Sequence, residues 1–306
     1  MESRNHSTVT HFILLGFSSD PNVQIVLFLI FLVVYVVLLV ANILLILAVT
    51  LDHRLHNPMY FFLINLSIIN ICGPSVIVPR MLVDFLNKSI VFAACVTQMF
   101  FNILLVESES FLLVFMAYDR YVAICKPLRY NEIMNRSVCA LMAMVMWTVS
   151  FATSSVNIFS ICSLTFCGPN IINHFMCSSK YLTILSCSDT SGSDSIAFLG
   201  GAAILLVPLL FILFSYYKII SSINGIRSRR YKAFSSCIPH LIVVTLFFGF
   251  TMVNFMRPNV FVGDNSSKIL SVFYLILTPM VNPMIYSLRN KDVIRALRHL
   301  VRLQCP

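Results

Sequence analysis

Seven long apolar stretches divide the chain, and charged residues mark the boundaries between them. Each stretch is close to the roughly 20 residues that a helix needs to cross a bilayer core. The pattern predicts an all-α membrane protein, a seven-transmembrane helix bundle that forms a single domain over residues 1–306. We place the helices at residues 23–50, 57–80, 92–121, 138–160, 196–222, 232–256 and 268–288, followed by a short amphipathic C-terminal helix at 290–302.

The composition excludes a water-soluble protein. Hydrophobic residues make up 58% of the chain and charged residues 11%, whereas soluble domains average about 45–50% and about 25%. The net charge of +9 would suit a nucleic-acid partner, but nucleic-acid binders collect their basic residues in a patch on a polar domain. Here the basic residues separate apolar runs, so we expect membrane lipid around the chain and no nucleic acid.

The basic residues also predict the orientation of the bundle. Lysines and arginines in short loops stay on the cytoplasmic side of a membrane. An extracellular N-terminus and a cytoplasmic C-terminus put 15 of the 21 lysines and arginines on the inner side. The triplet Asn5-His6-Ser7 then lies outside, and Asn5 is a candidate glycosylation site.

Four short motifs stand at or near the ends of the predicted helices. They are PMYFFL at residues 58–63, MAYDRYVAIC at 116–125, KAFSSC at 232–237 and PMVNPMIY at 279–286. Together, and in this order, they resemble the motifs of the odorant receptors, a family of rhodopsin-like G-protein-coupled receptors. The resemblance extends over essentially the whole chain.

The resemblance implies a function and a location. It implies a receptor in the plasma membrane of olfactory cilia that binds a small volatile odorant and activates a stimulatory olfactory-type G protein, with cAMP as the output. In such receptors the arginine of the Asp-Arg-Tyr triplet is released when the sixth helix swings outward. The residues implied in this switch and in G-protein coupling are Asp119, Arg120, Tyr121, Tyr216, His240, Asn282, Pro283 and Tyr286.

Four of the ten cysteines fall in predicted outer segments, where disulfides persist. Their positions alone allow three pairings. The resemblance implies bonds from Cys95 to Cys177 and from Cys167 to Cys187, which would tie the second outer loop to the third helix as a lid over the ligand.

Two glutamates lie inside the third predicted helix, which is unusual for a membrane span. At about 100° per residue, Glu107 and Glu109 point in roughly opposite directions. They cannot serve one site, so each needs its own partner or a proton. We expect their roles to differ.

Glu109 matches a glutamate that odorant receptors carry in what looks like a sodium-binding pocket, together with an aspartate of the second helix. Asn70 takes the place of that aspartate here, so the candidate pocket of Asn70, Glu109 and Asn282 has one carboxylate rather than two. Without a cation, a neutral acid hydrogen-bonded to Asn70 or Asn282 is the less costly state. We expect this acid, with an allosteric sodium ion as the alternative and no other metal or cofactor.

Glu107 lies on the face that borders the ligand cavity in rhodopsin-like receptors. An unpaired acid there favours a ligand with a hydrogen-bond donor or a positive charge; the alternative is a structural acid bonded to a hydroxyl on the fourth or fifth helix. Asn102 stands where receptors for amine neurotransmitters carry an aspartate, which argues against that group. By analogy the cavity residues are Asn102, Ile103, Val106, Glu107, Gly200, Gly201, Ile204, Phe248, Thr251, Met252, Phe255 and Leu275, although each could equally serve helix packing.

Two other functions compete with the odorant receptor. The glutamates could be relay groups of a proton-linked transporter, but the sequence contains no duplicated half. A receptor that no longer signals is the second alternative, because Asn70, Phe248 and Pro239 depart from the family pattern. An enzyme is not expected, since no nucleophile or metal partner accompanies the membrane carboxylates.

Overall fold

A computed structural model of the protein describes residues 9–85, 88–167, 170–223, 227–256, 265–288 and 291–304. Asn5 lies outside these residues, so its glycosylation stays a prediction. Seven of the described helices are long and apolar enough to cross a membrane, as the hydrophobic pattern predicts.

The membrane helices follow one another along the chain with short elements between them. The first six are α1 (Pro21–Leu51), α2 (Pro58–Asp84), α3 (Phe92–Cys125), α5 (Arg136–Cys162), α7 (Ser191–Ile223) and α8 (Arg227–Met256). The seventh consists of α9 (Asn265–Val272), a π-helical turn (Phe273–Leu277) and α10 (Thr278–Leu288). Three further helices are α4 (Tyr130–Ile133), α6 (Ser179–Ile184) and the tail helix α11 (Lys291–Gln304).

Capping residues set several helix starts. The Asp20 side chain accepts a hydrogen bond from the Asn22 N–H at 2.8 Å, and Asn135 accepts from the Val138 N–H at 3.0 Å. A polar side chain at this position satisfies an N–H that the helix itself leaves without a partner. Both helices therefore begin two residues before the positions that the apolar runs predict, at Pro21 and Arg136.

The seventh helix contains a π-helical turn that the sequence analysis does not predict. Pro279 follows this turn and has no N–H, so the carbonyl of Leu275 lacks the donor that a regular helix would supply. The hydroxyl of Thr278 donates to the Phe273 carbonyl at 3.0 Å. A π-helical turn changes the angular position of every side chain that precedes it relative to those that follow.

A three-stranded sheet closes one end of the bundle. Strand β1 (His11–Leu14) pairs antiparallel with β2 (Ser89–Val91) and parallel with β3 (Ile171–Ile172). The side chains of Phe12 and Leu14 are fully buried beneath it. We call this end, which also carries residues 163–167 and 170–190, the N-terminal end. We call the end with Asp119, Arg120 and Tyr121 the Asp-Arg-Tyr end.

The helices differ in how much surface they bury. Helix α3 lies at the centre of the bundle and contributes Leu112, Leu113 and Ala117 to the main core. Helix α1 lies at the periphery and leaves Ile25, Val33 and other large apolar side chains more than half exposed. Such apolar outer surfaces fit a bundle whose solvent is lipid.

Candidate functional site

A cavity of about 570 Å³ opens at the N-terminal end of the bundle. Its walls come from α3, α5, α7, α8 and the π-helical turn, and residues 176–180 of the long loop cover it. Cavities that hold small organic molecules range over about 300–1,000 Å³. The space therefore suits a ligand of few atoms rather than a peptide.

Two disulfide bonds hold the covering loop in place. Cys95 is bonded to Cys177 with their Cα atoms 5.5 Å apart, and Cys167 is bonded to Cys187 with a Cα separation of 5.9 Å. These are the two pairings that the resemblance implies. The Cys177 N–H also donates to the Gln98 side chain at 2.9 Å, which fastens the loop to the start of α3.

The loop also contains a buried histidine beside the cavity cover. The His174 ring stacks on Phe175 with 4.4 Å between ring centroids, and its Nδ1 accepts from the Met176 N–H at 3.3 Å. Burial, with the Lys268 ammonium as a second cause, lowers the pKa of His174 to about 3. The ring is therefore neutral at physiological pH.

Eight of the twelve predicted ligand residues line the cavity. They are Asn102, Ile103, Val106, Glu107, Gly201, Ile204, Thr251 and Phe255. A Cβ at Gly201 would collide with the Phe255 ring, which would have to move. The structure does not bring Gly200, Phe248, Met252 or Leu275 into the lining.

The four remaining residues have other surroundings. Phe248 is buried in the main core, and Met252 packs against that core. Leu275 belongs to the π-helical turn and packs in a cluster with Phe175 and Met176. A side chain added at Gly200 would meet no neighbour.

The lining contains two charged residues that were not predicted from the sequence, Lys180 and Asp194. Lys180, in α6, donates from Nζ to the backbone carbonyls of Asn254 and Phe255 at 3.2 and 3.0 Å. These carbonyls end α8, where a positive charge is favourable. Asp194, in the first turn of α7, accepts from the Thr190 hydroxyl at 2.8 Å. The position of Lys180 between Cys177 and Cys187 is the only signal in the sequence that it lies close to the cavity.

Glu107 is buried and lies in the cavity wall. The hydroxyl of Thr153, on the fourth membrane helix α5, donates to its Oε2 atom. The two expectations for this residue are therefore compatible, since the carboxyl group has a hydroxyl partner and borders the cavity.

Glu109 points away from the cavity into a cluster of three buried asparagines. Asn282 Nδ2 lies 3.4 Å from Glu109 Oε1 and 3.2 Å from Asn70 Oδ1. Asn70 in turn donates to Asn42 Oδ1 at 3.3 Å, and Asn42 donates to the carbonyls of Leu38 and Pro279. Amide N–H groups thus donate to the Asn70 and Asn42 oxygens, whereas Asn282 Oδ1 is buried without a hydrogen-bond partner among the described residues. Glu109 has an amide partner, and the choice between a neutral acid and a sodium ion stays a prediction.

At the Asp-Arg-Tyr end, a histidine joins three membrane helices. The His240 Nε2 atom lies 3.1 Å from the Leu113 carbonyl, and Nδ1 lies 2.7 Å from the Tyr216 hydroxyl. A carbonyl can only accept, so Nε2 carries the proton and the Tyr216 hydroxyl donates to Nδ1. Helices α3, α7 and α8 are thereby connected through one side chain.

Arg120 and Tyr286 are two further predicted switch residues. Arg120 contacts the Met59 sulfur and lies close enough to Tyr216, His240 and Tyr286 to act on them electrostatically. Among the described residues, the Tyr286 hydroxyl has no hydrogen-bond partner although it is buried.

Four switch residues remain: Asn282 is described above with Glu109, and the other three lie on α3 and α10. Asp119 accepts from the Tyr130 hydroxyl of α4 at 2.7 Å. Tyr121 is half-buried next to Tyr118. The Pro283 carbonyl accepts from the Ser287 hydroxyl at 2.6 Å.

Comparison with known proteins identifies the family. The model of the olfactory receptor family matches residues 31–303. The chain belongs to the olfactory receptor family. It is 43% identical to olfactory receptor 6B1 of Homo sapiens over 99% of this chain and 98% of the relative. It is 44% identical to olfactory receptor 5AR1 of Mus musculus, over 98% of both chains.

Family membership confirms several predictions. Olfactory receptors are G-protein-coupled receptors and not enzymes, so the chain is a receptor of this class. Together with the seven membrane-spanning helices, it supports a multi-pass protein of the plasma membrane. The transporter alternative finds no support in these relatives.

Proposed function

We propose that this receptor binds a small volatile odorant in the cavity at the N-terminal end and activates a stimulatory olfactory-type G protein, which raises cAMP. One observation carries the proposal. The cavity lies at one end of α3 and α8, and the hydrogen bonds of His240 to Leu113 and Tyr216 lie at the other end. A ligand that alters the packing of these helices at one end can thereby change contacts at the other.

The cavity lining supports a volatile ligand. Its apolar part includes Ile103, Val106, Ile204 and Leu205. Burial of apolar area contributes about 25 cal/mol per Å², so a ligand of few carbons binds weakly. We assign the eight lining residues named above to ligand contact.

The hydrogen bonds of His240 support a switch at the other end. An outward movement of α8 would separate His240 from the Leu113 carbonyl on α3 and from Tyr216 on α7. We infer that Arg120 then meets the G protein, while Tyr216 and Tyr286 line the opened space. Asp119, Tyr121, Asn282 and Pro283 belong to the same switch.

Orientation forms part of the proposal. The excess of basic residues at the Asp-Arg-Tyr end favours a cytoplasmic position for that end. The disulfides at the N-terminal end fit the oxidising outer side of the membrane. The odorant would therefore enter from outside and the G protein bind inside.

The test is cAMP accumulation in cells that co-express the receptor and an olfactory-type G protein, across a panel of volatile compounds. We expect a wild-type response that Arg120→Ala abolishes at equal surface expression. Arg295→Ala is the matched control and should leave the response largely intact. It removes an exposed arginine of α11 whose ion pair with Asp292 has an N–O distance of 3.4 Å. A response that survives Arg120→Ala, or surface-expressed receptor that answers no volatile, would contradict the proposal.

A further inference from the structure

The carboxyl group of Glu107 has one occupied oxygen and one that is open for a ligand. Within the part of the chain that the structure describes, its hydrogen-bond partner is Thr153, whose hydroxyl donates to Oε2. Glu107 has no ion pair among these residues, and it lies in the cavity wall. Oε1 is therefore the hydrogen-bonding position that Glu107 offers to a molecule in the cavity.

Thr153 can accommodate Glu107 with or without its proton. The Thr153 Oγ1 atom also lies 2.9 Å from the Val149 carbonyl, and a hydroxyl carries one hydrogen and accepts through its lone pairs. When the hydroxyl donates to Val149, Oγ1 can accept from a protonated Glu107. When it donates to Glu107, it stabilises the carboxylate. A change of protonation at Glu107 thus requires only a rotation of this hydroxyl.

The charged groups of the cavity favour a ligand that donates hydrogen bonds. Asp194 is a second acid in the lining, and the Asn157 amide, which uses one of its two Nδ2 hydrogens for the Thr153 carbonyl, keeps its oxygen as an acceptor. Among the described residues of the lining the basic one is Lys180, which donates to the two carbonyls that end α8. An anionic ligand would meet two carboxyl groups here.

We propose that the cavity selects small amines, with the amine nitrogen bound to Glu107 and a short apolar body packed on Ile103, Val106 and Ile204. This inference rests on the proposed function, since it names the ligand class of the same cavity. A volatile amine enters as the uncharged free base and takes the proton of Glu107. The ammonium and the carboxylate then form an ion pair in place, so that no unpaired charge is buried.

The direct test is ligand binding to the purified full chain in lipid nanodiscs, read as the increase in unfolding temperature at saturating ligand. The probes are isopentylamine and cyclohexylamine, with isopentanol and cyclohexanol as partners of matched shape. We expect the amines to raise the unfolding temperature and the alcohols to do so much less. Because this comparison uses the wild-type chain, it is decisive even if a variant fails to fold. Equal stabilisation by alcohols, or none by either amine, would overturn the proposal.

Variants assign the effect to Glu107. Glu107→Gln keeps the size of the side chain but removes the acid, and we expect it to weaken amine binding about tenfold to a hundredfold, the range for a hydrogen bond to a charged group. Asp189→Asn is the matched control, because it removes an exposed acid outside the lining and should retain the binding, whereas Asp194→Asn tests the second acid of the cavity. Loss with Asp194→Asn but not with Glu107→Gln would move the amine away from Glu107 and overturn the inference. Amine binding without any cAMP response would instead overturn only the proposed coupling.

Discussion

The two ends of the bundle are held together by different kinds of bond. The N-terminal end has two disulfides and a sheet that joins the N-terminal strand to two loops. The Asp-Arg-Tyr end relies on side-chain hydrogen bonds, such as those of His240 and of Asp119 with Tyr130. Such bonds contribute about 0.5–1.5 kcal/mol each and exchange readily. The difference separates an end that keeps its shape from an end that can rearrange.

The largest expected effect concerns the sheet. Phe12 is fully buried and its ring meets the rings of Phe92 and Phe166 at 6.1 and 5.8 Å. Phe12→Ala should lower the free energy of unfolding by about 3–5 kcal/mol, measured as loss of unfolding temperature in nanodiscs. Ile13→Ala is the control, because the adjacent side chain on the opposite face of the strand is 36% exposed. Similar losses for both variants would mean that burial of the Phe12 side chain is not what stabilises this end.

Removal of the disulfide from α3 to the loop should have the next largest effect. The Cys95–Cys177 bond closes a segment with a sequence separation of 82 residues. Replacing both cysteines with serine should cost about 2–4 kcal/mol and lower surface expression. Cys162→Ser, at an exposed free cysteine of the same end, should have little effect. If the unfolding temperature of the double variant were unchanged, the covalent bond would not be what holds this end.

Acid should weaken the N-terminal end through His174. Its pKa is lowered by burial from an ordinary 6.5 to about 3, so between these values the unfolded chain binds more protons than the folded chain. Stability is then present above about pH 6.5 and is lost as the pH falls, by up to about 1.4 kcal/mol per pH unit.

Unfolding temperatures at about pH 7 and about pH 5 measure this dependence. His174→Gln should flatten the pH dependence, whereas His11→Gln, at an exposed histidine of β1, should leave it as it is. The same slope in His174→Gln and wild type would assign the acid sensitivity to other groups.

The smallest effect on stability belongs to the Asp-Arg-Tyr end. Tyr216→Phe removes the donor to His240 Nδ1 and should cost about 0.5–1.5 kcal/mol. The same change should raise basal cAMP, because it weakens a bond that holds α8 to α7. Tyr217→Phe is the control, since the neighbouring ring is 64% exposed. Reduced or unaltered basal cAMP in Tyr216→Phe would show that this bond does not restrain the switch.

The seven helices could be predicted because an apolar run long enough to cross a membrane must satisfy its own backbone hydrogen bonds, which it does as an α-helix. Their ends were less accessible, since a charge marks where the polar region begins but a cap such as Asp20 decides where the helix starts. The sheet was missed because β1 has four residues and pairs with segments that are distant in sequence. The hydrophobic pattern within a short segment does not predict a pairing with a distant segment.

The cavity shows the same limit. Residues on α3 such as Ile103, Val106 and Glu107 were predicted by analogy and line the cavity, because α3 is a regular helix and keeps the spacing that the analogy assumes. Leu275 was misplaced by analogy because it lies in a π-helical turn, where regular spacing does not hold. Lys180 lies at the cavity because the disulfide bond at Cys177 holds its loop there. The residues next to Lys180 in the sequence do not predict this position. Asn42 was missed because the sequence around a single asparagine in an apolar helix does not predict which residues it will bond.

Strand β1 has a consequence for the order in which the protein is made. Ile13 pairs with Ile171, so more than half of the chain separates the two strands. The ribosome produces β1 before β3, and four membrane helices are made between them. Contacts between such distant segments form slowly, and the apolar side chains of Phe12 and Leu14 are exposed until then. Escape from the endoplasmic reticulum should therefore depend on how long chaperones protect this short segment.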